Sequence, residues 1–317
     1  MMRQAGRYLP EYREVREKVD FLTLCKTPDL AVDVSLQPVK RFGMDACIVF
    51  SDILVPIEAM GAPLTFTDQG PVIIDPIRSP EDVERLNVFD PAERTPFVLQ
   101  TLRTLRSLLH DQTALIGFCG GPFTLASYLI EGRGSKNFAT VKALFYARPA
   151  MLHALLAKLA ESIAGYAAAQ VSAGAQAIQV FDTWAGELSP AAYRDIALPY
   201  QRIVIERIKA AGVPAILFVN GCAGVLDHLP ASGADVFSVD WRIGLDGVRR
   251  RLGAEVALQG NVDPAILLST PQAAREAARD AMRAAGPRGH ILNLGHGVLP
   301  ATPIECARAF IDAPKNG

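Results

Sequence analysis

The opening stretch MMRQAGRYLPEYREVR carries two arginines four residues apart, Arg3 and Arg7, with Gly6 between them and Pro10 after. Paired guanidinium groups beside a small-residue turn suit the binding of carboxylates, because the planar fork matches two oxygens at once. The same composition also describes a solvated tail. Further along, short polar sets close successive apolar runs: Ser51-Asp52, Cys119-Gly120-Gly121, Asp182-Thr183-Trp184, Asn220-Gly221-Cys222, Asp240-Trp241, Gln259-Gly260-Asn261 and Asn293-Leu294-Gly295-His296. Loops favour polar residues in any protein. An acid, a hydroxyl, amides and an imidazole repeated at the same end of successive runs is also the raw material for proton transfer and anion binding. Nothing here resembles GxxxxGK[ST], HExxH or GxSxG, and EGRGSKNF is a weak match to a dinucleotide loop. The five histidines lack metal-ligand spacing. His110 and His153 lie in helical stretches and suit structural roles. His296, between Gly295 and Gly297, has the setting of an accessible functional group. Such a set fits a substrate that supplies its own electron sink.

The elements that must position these residues are visible as a recurring unit. A helical stretch ends at a glycine, two or three residues pass, and an apolar run follows, as in FGMDACIVFSD, SAGAQAIQVFDTW, AAGVPAILFVNG, ASGADVFSVDW and RLGAEVALQGN. Glycine suits the left-handed position just beyond a helix. Near-continuous apolar runs are how strands buried on both faces of a parallel sheet read. TALIGFCGG and GHILNLGHG bring the number of strands to seven. Alternating strand and helix predicts a parallel α/β fold with right-handed crossovers. Two architectures fit: a (β/α)8 barrel with MMRQ as the tip of its first strand, or an open doubly wound sheet. In a barrel the polar sets converge on one face, where barrel active sites lie. MGAPLTFTDQGPVIIDPI reads as an extra β-hairpin turning around Asp68-Gln69-Gly70.

The bulk numbers agree with a single domain over residues 1–317, half hydrophobic, with a formal charge of −1. No linker or low-complexity tract divides it. Near-neutral charge speaks against non-specific binding to nucleic acid or an acidic membrane. Five scattered cysteines without a CxxC pair suggest a reduced, cytoplasmic protein with neither a disulfide framework nor a structural zinc. The N-terminus shows no secretory pattern. The longest apolar helical stretch, MLHALLAKLAESIAGYAAAQ, is interrupted by Lys158, Glu161 and Ser162 and reads as a buried or amphipathic helix.

MRQAGRYLPEYREVR resembles the N-terminal signature of the uroporphyrinogen decarboxylase family. The resemblance continues through FSDILVP, GFCGGPFTLASYLIEGRGS, AGAQAIQVFDTWAG, LQGNVDP and NLGHGVLP, in order and across the chain. It implies a single (β/α)8 TIM-type barrel with a deep cleft at the strand C-termini, usually in a homodimer whose clefts face each other. It implies conversion of the four acetate side chains of uroporphyrinogen to methyls, giving coproporphyrinogen, in haem and related tetrapyrrole synthesis, without a cofactor or metal. By the same resemblance Asp52 accepts hydrogen bonds from the pyrrole N–H groups and stabilises a cation formed by protonating a pyrrole carbon. An aspartate after a strand is otherwise more often a helix cap. Arg3 and Arg7 bind substrate carboxylates, with Gln4, Ala5 and Gly6 offering backbone N–H groups. Arg3 is the candidate for delivering a proton. Arg16 is either a third cation or a solvated helical residue. Tyr128 matches a tyrosine that bonds substrate or Asp52, and Thr183 stands where some relatives carry serine. His296 contacts a propionate or a ring nitrogen, and Phe21 packs against the macrocycle. Arg133 receives no role.

Family members normally carry a segment ending Pro-Val-Trp just before the first arginine motif, where this chain has Met1-Met2. The expectation is a first strand present only as its tip, or another packing that closes the barrel. Two other functions bear on the same residues. A zinc-dependent methyltransferase of the superfamily, acting on a corrinoid or thiol, holds its metal with a His-x-Cys pair; in FVNGCAG, Asn220 stands where that histidine would be. A non-catalytic tetrapyrrole-binding protein would keep the arginines and could dispense with Asp52.

Overall fold

The computed structural model describes residues 1–67, 70–110 and 112–316. Its framework is a parallel sheet of seven strands: β1 (Ala46–Ile48), β4 (Ala114–Gly120), β5 (Ala177–Phe181), β6 (Ala215–Val219), β7 (Val236–Val239), β8 (Ala257–Val262) and β9 (His290–Leu294). They lie side by side in chain order, β1-β4-β5-β6-β7-β8-β9, with every neighbouring pair parallel. A doubly wound sheet reverses its strand order at a switch point. No reversal occurs here, so the barrel-type architecture is the correct one of the two.

The sheet curls. The side chain of Gln259 on β8 donates to Gln179 on β5 at 3.1 Å, although two strands separate them in the sheet order. Side chains on a flat sheet cannot meet across that span, since neighbouring strands lie about 4.8 Å apart. The edges are drawn together by the first four residues. Met2 receives the Val298 N–H on its carbonyl at 3.1 Å, and its own N–H reaches Asn293 Oδ1 at 3.2 Å. Two residues on, the Gln4 amide accepts from Ile48 N–H at 2.9 Å and donates to Ala46 O at 2.8 Å. Residues 1–4 thus occupy the eighth position between β9 and β1. They do so without forming a strand, which corrects the expectation of a strand tip: Arg3 takes φ 53°, and the contact with β1 is made by a side chain instead of a backbone ladder.

The anticipated hairpin is present as β2 (Leu64–Thr67) and β3 (Gly70–Ile73), paired antiparallel with Leu64 opposite Ile73. Its turn residues Asp68 and Gln69 lie outside the described residues. Ile73 N–H bonds Gly132 O at 2.7 Å, which ties the hairpin to the end of the helix Pro122–Glu131.

Helices begin and end on the expected residues. Proline opens Pro10–Arg16, Pro28–Phe42, Pro122–Glu131 and Pro149–Ser172, where its fixed φ fits and its missing N–H is not needed. Gly43 closes Pro28–Phe42 in the left-handed region at φ 64°, its N–H on Val39 O at 2.8 Å. The apolar stretch beginning MLHALLAKLA lies inside the 24-residue helix Pro149–Ser172, with one face buried. Among the described residues no helix is long and apolar enough to cross a membrane.

Candidate active site

Parallel strands point their C-termini the same way, so all seven polar sets open on one face. Asp52 follows β1 there and is half-buried. Leu54 N–H donates to its Oδ1 at 2.8 Å. Its Oδ2 carries no hydrogen bond, and the carboxylate has no ion pair, among the described residues. Burial pushes the carboxyl up to about 6, against the opposing effects of the Leu54 N–H and the Arg3 charge. A carboxylate with one oxygen free in a partly dry mouth is poised to receive a donor or a cation.

Two other aspartates at strand ends, Asp182 and Asp240, are spoken for. Asp182 is fully buried and accepts from Thr124 N–H and Thr124 Oγ1, each at 2.8 Å, and from Gln201 Nε2 at 2.8 Å. It fixes the start of the helix Pro122–Glu131 against β5. Gly121 is required beside it, because a Cβ there would come within 2.3 Å of the Asp182 side chain. Asp240, also fully buried, accepts from Cys222 N–H at 2.9 Å and Arg242 N–H at 3.0 Å and pairs with Arg242 Nη1 at 3.1 Å.

The structure brings Arg3, Tyr128 and His296 to the same mouth as Asp52. The Arg3 charge acts on all three of the others. Arg3 lies across Gly297, where an added Cβ would meet its Cδ at 2.4 Å. Arg3 and Arg7 are exposed, and neither guanidinium has a hydrogen bond or ion pair among the described residues. The backbone N–H groups of Ala5, Gly6 and Arg7 are likewise free there. The Gln4 side chain is not available to a ligand, since both ends of its amide are bound to β1. Tyr128 is held protonated: burial, then the Asp52 charge, raise its phenol above its ordinary value. Its ring lies 6.3 Å from that of Trp184, which packs on Phe138 at 4.9 Å.

His296 is lowered to about 4, by burial first and then by the Arg3 and Arg242 charges, so it is neutral at pH 7. Its Nδ1 accepts the Gly297 N–H at 2.7 Å, which leaves the proton on Nε2. It therefore offers a neutral donor. The ring stands edge-on to Phe218 at 5.7 Å, and Phe218, Phe181 and Phe118 continue as an arc around the inner wall.

Other anticipated residues are more peripheral. Phe21 packs between Phe66 of the hairpin at 4.7 Å and Phe50 at 5.9 Å, beside the β1 end that carries Asp52. Arg16 covers the Phe21 ring at 5.8 Å and donates to Val19 O. Thr183 is half-buried, and its carbonyl accepts from Asn220 N–H at 3.3 Å. Arg133 bridges to Val72 of the hairpin. Sequence reasoning missed Arg242, whose guanidinium lies 4.2 Å over the Trp241 ring at this mouth. The signal was its place directly after a strand-end polar pair.

The family model for uroporphyrinogen decarboxylase (URO-D) matches residues 1–316. The chain belongs to that family. Among curated uroporphyrinogen decarboxylases, that of Myxococcus xanthus is 47% identical over 313 residues, covering 99% of this chain and 90% of the relative. That of Synechococcus sp. (strain JA-2-3B'a(2-13)) is 49% identical over 319 residues, covering 100% of this chain and 92% of the relative. Among solved structures, a methyltransferase from Methanosarcina mazei superposes with a TM-score of 0.82 at 21% identity, covering 95% of this chain and 90% of that one. That likeness establishes the shared barrel fold. The residues that would carry the methyltransferase alternative are committed elsewhere in this uroporphyrinogen decarboxylase relative: Asn220 Oδ1 accepts from the Arg242 cation at 3.1 Å, and the Cys222 thiol is fully buried and pushed up to about 12.

Proposed function

We propose that this chain removes CO2 from the four acetate side chains of uroporphyrinogen III to give coproporphyrinogen III, with Asp52 as the cation stabiliser. The observation that carries the assignment is the free Oδ2 of Asp52 in a mouth it shares with Arg3, whose guanidinium has no hydrogen bond or ion pair among the described residues. The substrate is matched to that pattern: pyrrole N–H groups at its centre seek an acceptor, and its peripheral carboxylates seek guanidinium groups.

Each round begins with a proton added to a pyrrole carbon beside the acetate, which makes the ring a cation. The carboxylate carbon then leaves as CO2, and its bonding pair forms an exocyclic C=CH2 that neutralises the cation. A proton on that CH2 gives the methyl group, and loss of the ring proton restores the pyrrole. One proton is consumed and one CO2 released per round. Asp52 lowers the barrier by facing the cation with a charge that is already in place. With a pKa of about 6 it is roughly nine-tenths ionised at pH 7. Arg3 and Arg7 hold carboxylates through charge-assisted hydrogen bonds worth roughly 1.5–3 kcal/mol each. Arg3 is the group closest in role to a proton relay, but a guanidinium stays charged, so the proton reaches the ring through water held by it. Tyr128 and His296 donate to the substrate, Thr183 offers a hydroxyl, and Phe21 with Phe50 and Phe66 forms an apolar wall.

Uroporphyrinogen III incubated anaerobically with the purified chain should yield four CO2 per tetrapyrrole and coproporphyrinogen III. Tight binding without CO2 release would favour a carrier instead. A homodimer and a cytoplasmic location belong to the same reading, supported by the family and by the apolar, disulfide-free interior; sedimentation of the purified chain tests the first.

A further inference from the structure

We propose that Arg242 is a further substrate arginine, binding a propionate carboxylate on the side of the mouth opposite Asp52. The assignment rests on the uroporphyrinogen reading of the site. Counting the N-terminal segment as the eighth position, β7 lies four places from β1 around the ring, so the loops that carry Arg242 and Asp52 stand on opposite sides of the opening.

Arg242 is held on three sides. Its Nη1 donates to Asp240 Oδ1 and to Asn220 Oδ1, each at 3.1 Å, and its guanidinium lies on the Trp241 ring at 4.2 Å. Nearly half of the side chain, 48%, is still exposed. Nε and Nη2 carry no hydrogen bond among the described residues, so one edge of the fork remains to be used. Immobilising an arginine in advance removes the ordering cost that a free surface arginine meets on binding. Its position relative to His296 is fixed as well: a Cβ on Gly295 would come within 2.5 Å of Trp241 N, so the β9 and β7 loops are in direct backbone contact. The Asp240 pair cancels part of the Arg242 charge. Its contribution is therefore directional hydrogen bonding, weaker than that of the unpaired Arg3 and Arg7. Propionates are the partners because they alone survive all four rounds, and a hold on the far side is needed in each of them.

The test compares Arg242→Met, which can still lie on Trp241, and Arg242→Lys with the unaltered chain, under anaerobic conditions. We expect Arg242→Met to raise KM for uroporphyrinogen III and the inhibition constant of coproporphyrinogen III by the same factor, roughly tenfold. kcat should fall by less, and Arg242→Lys should recover part of the loss. Unchanged constants in both variants overturn the proposal. A raised KM with an unchanged coproporphyrinogen constant overturns the propionate assignment, because that product has lost its acetates. A loss confined to thermal stability and kcat makes Arg242 a structural anchor only. If the unaltered chain itself releases no CO2, the proposed function fails, a result independent of the variant comparison.

Discussion

Asp52→Asn is predicted to do two opposite things at once. The carboxyl stands at about 6 against an ordinary 3.8. At ~1.4 kcal/mol per pH unit, keeping it ionised in the folded chain costs about 3 kcal/mol at neutral pH. The sign follows from which state holds the proton. Below 3.8 Asp52 is neutral whether folded or unfolded, and the cost is absent. Between 3.8 and 6 the unfolded chain ionises first, so stability falls as pH rises; above 6 the cost is complete. Asparagine carries no charge and can still accept the Leu54 N–H. The variant should therefore be more stable than the unaltered chain at pH 8, by up to about 3 kcal/mol, and equal to it near pH 3.5. It should also lose its preorganised countercharge. Deleting a single group that stabilises transition-state charge typically costs 10²–10³-fold in turnover, and a comparable drop in kcat with little change in substrate affinity is expected. Paired denaturant titrations at the two pH values give the first quantity, and anaerobic CO2 release gives the second. A variant that is less stable at pH 8 would show that the carboxylate serves the fold. Near-normal turnover would remove Asp52 from the chemistry.

Three further outcomes follow from the same geometry. kcat/KM should fall below pH 6 with a midpoint near 6 set by Asp52, and His296→Gln should leave that midpoint in place because His296 is already neutral there. Arg7→Ala should raise KM by roughly 10- to 150-fold while kcat changes little, as expected for loss of one charge-assisted hydrogen bond; steady-state kinetics at fixed ionic strength decides it. Gly297→Ala should displace Arg3, whose Cδ lies 2.4 Å from the new Cβ, and cost far more in activity than in melting temperature.

Much of this was legible in the sequence, for identifiable reasons. Most strands were visible because they are continuous apolar runs entered just after a glycine, as at Gly43 before β1 and Gly233 before β7; β4 instead follows a helix closed by His110 at φ 46°. The N-terminal turn lies between β9 and β1, and its form there was not foreseen. Gln4 reaches β1 with a side chain, and spacing alone cannot reveal a bond made across 44 positions. The same limit applies to the carboxylates. Asp52, Asp182 and Asp240 all follow apolar runs, and only the folded chain shows that Thr124 and Gln201 use up the second and that Cys222 and Arg242 use up the third. Arg242 looked like an ordinary loop residue because its anchors, Asn220 and the Trp241 face, become neighbours only when β6 and β7 lie side by side.

A crystal structure with coproporphyrinogen III bound is the most direct test of the central claim. The pyrrole N–H groups are expected within hydrogen-bond distance of Asp52 Oδ2, with propionates on the arginines around the mouth. Pyrroles turned away from Asp52, or a macrocycle seated outside the strand C-termini, would contradict it.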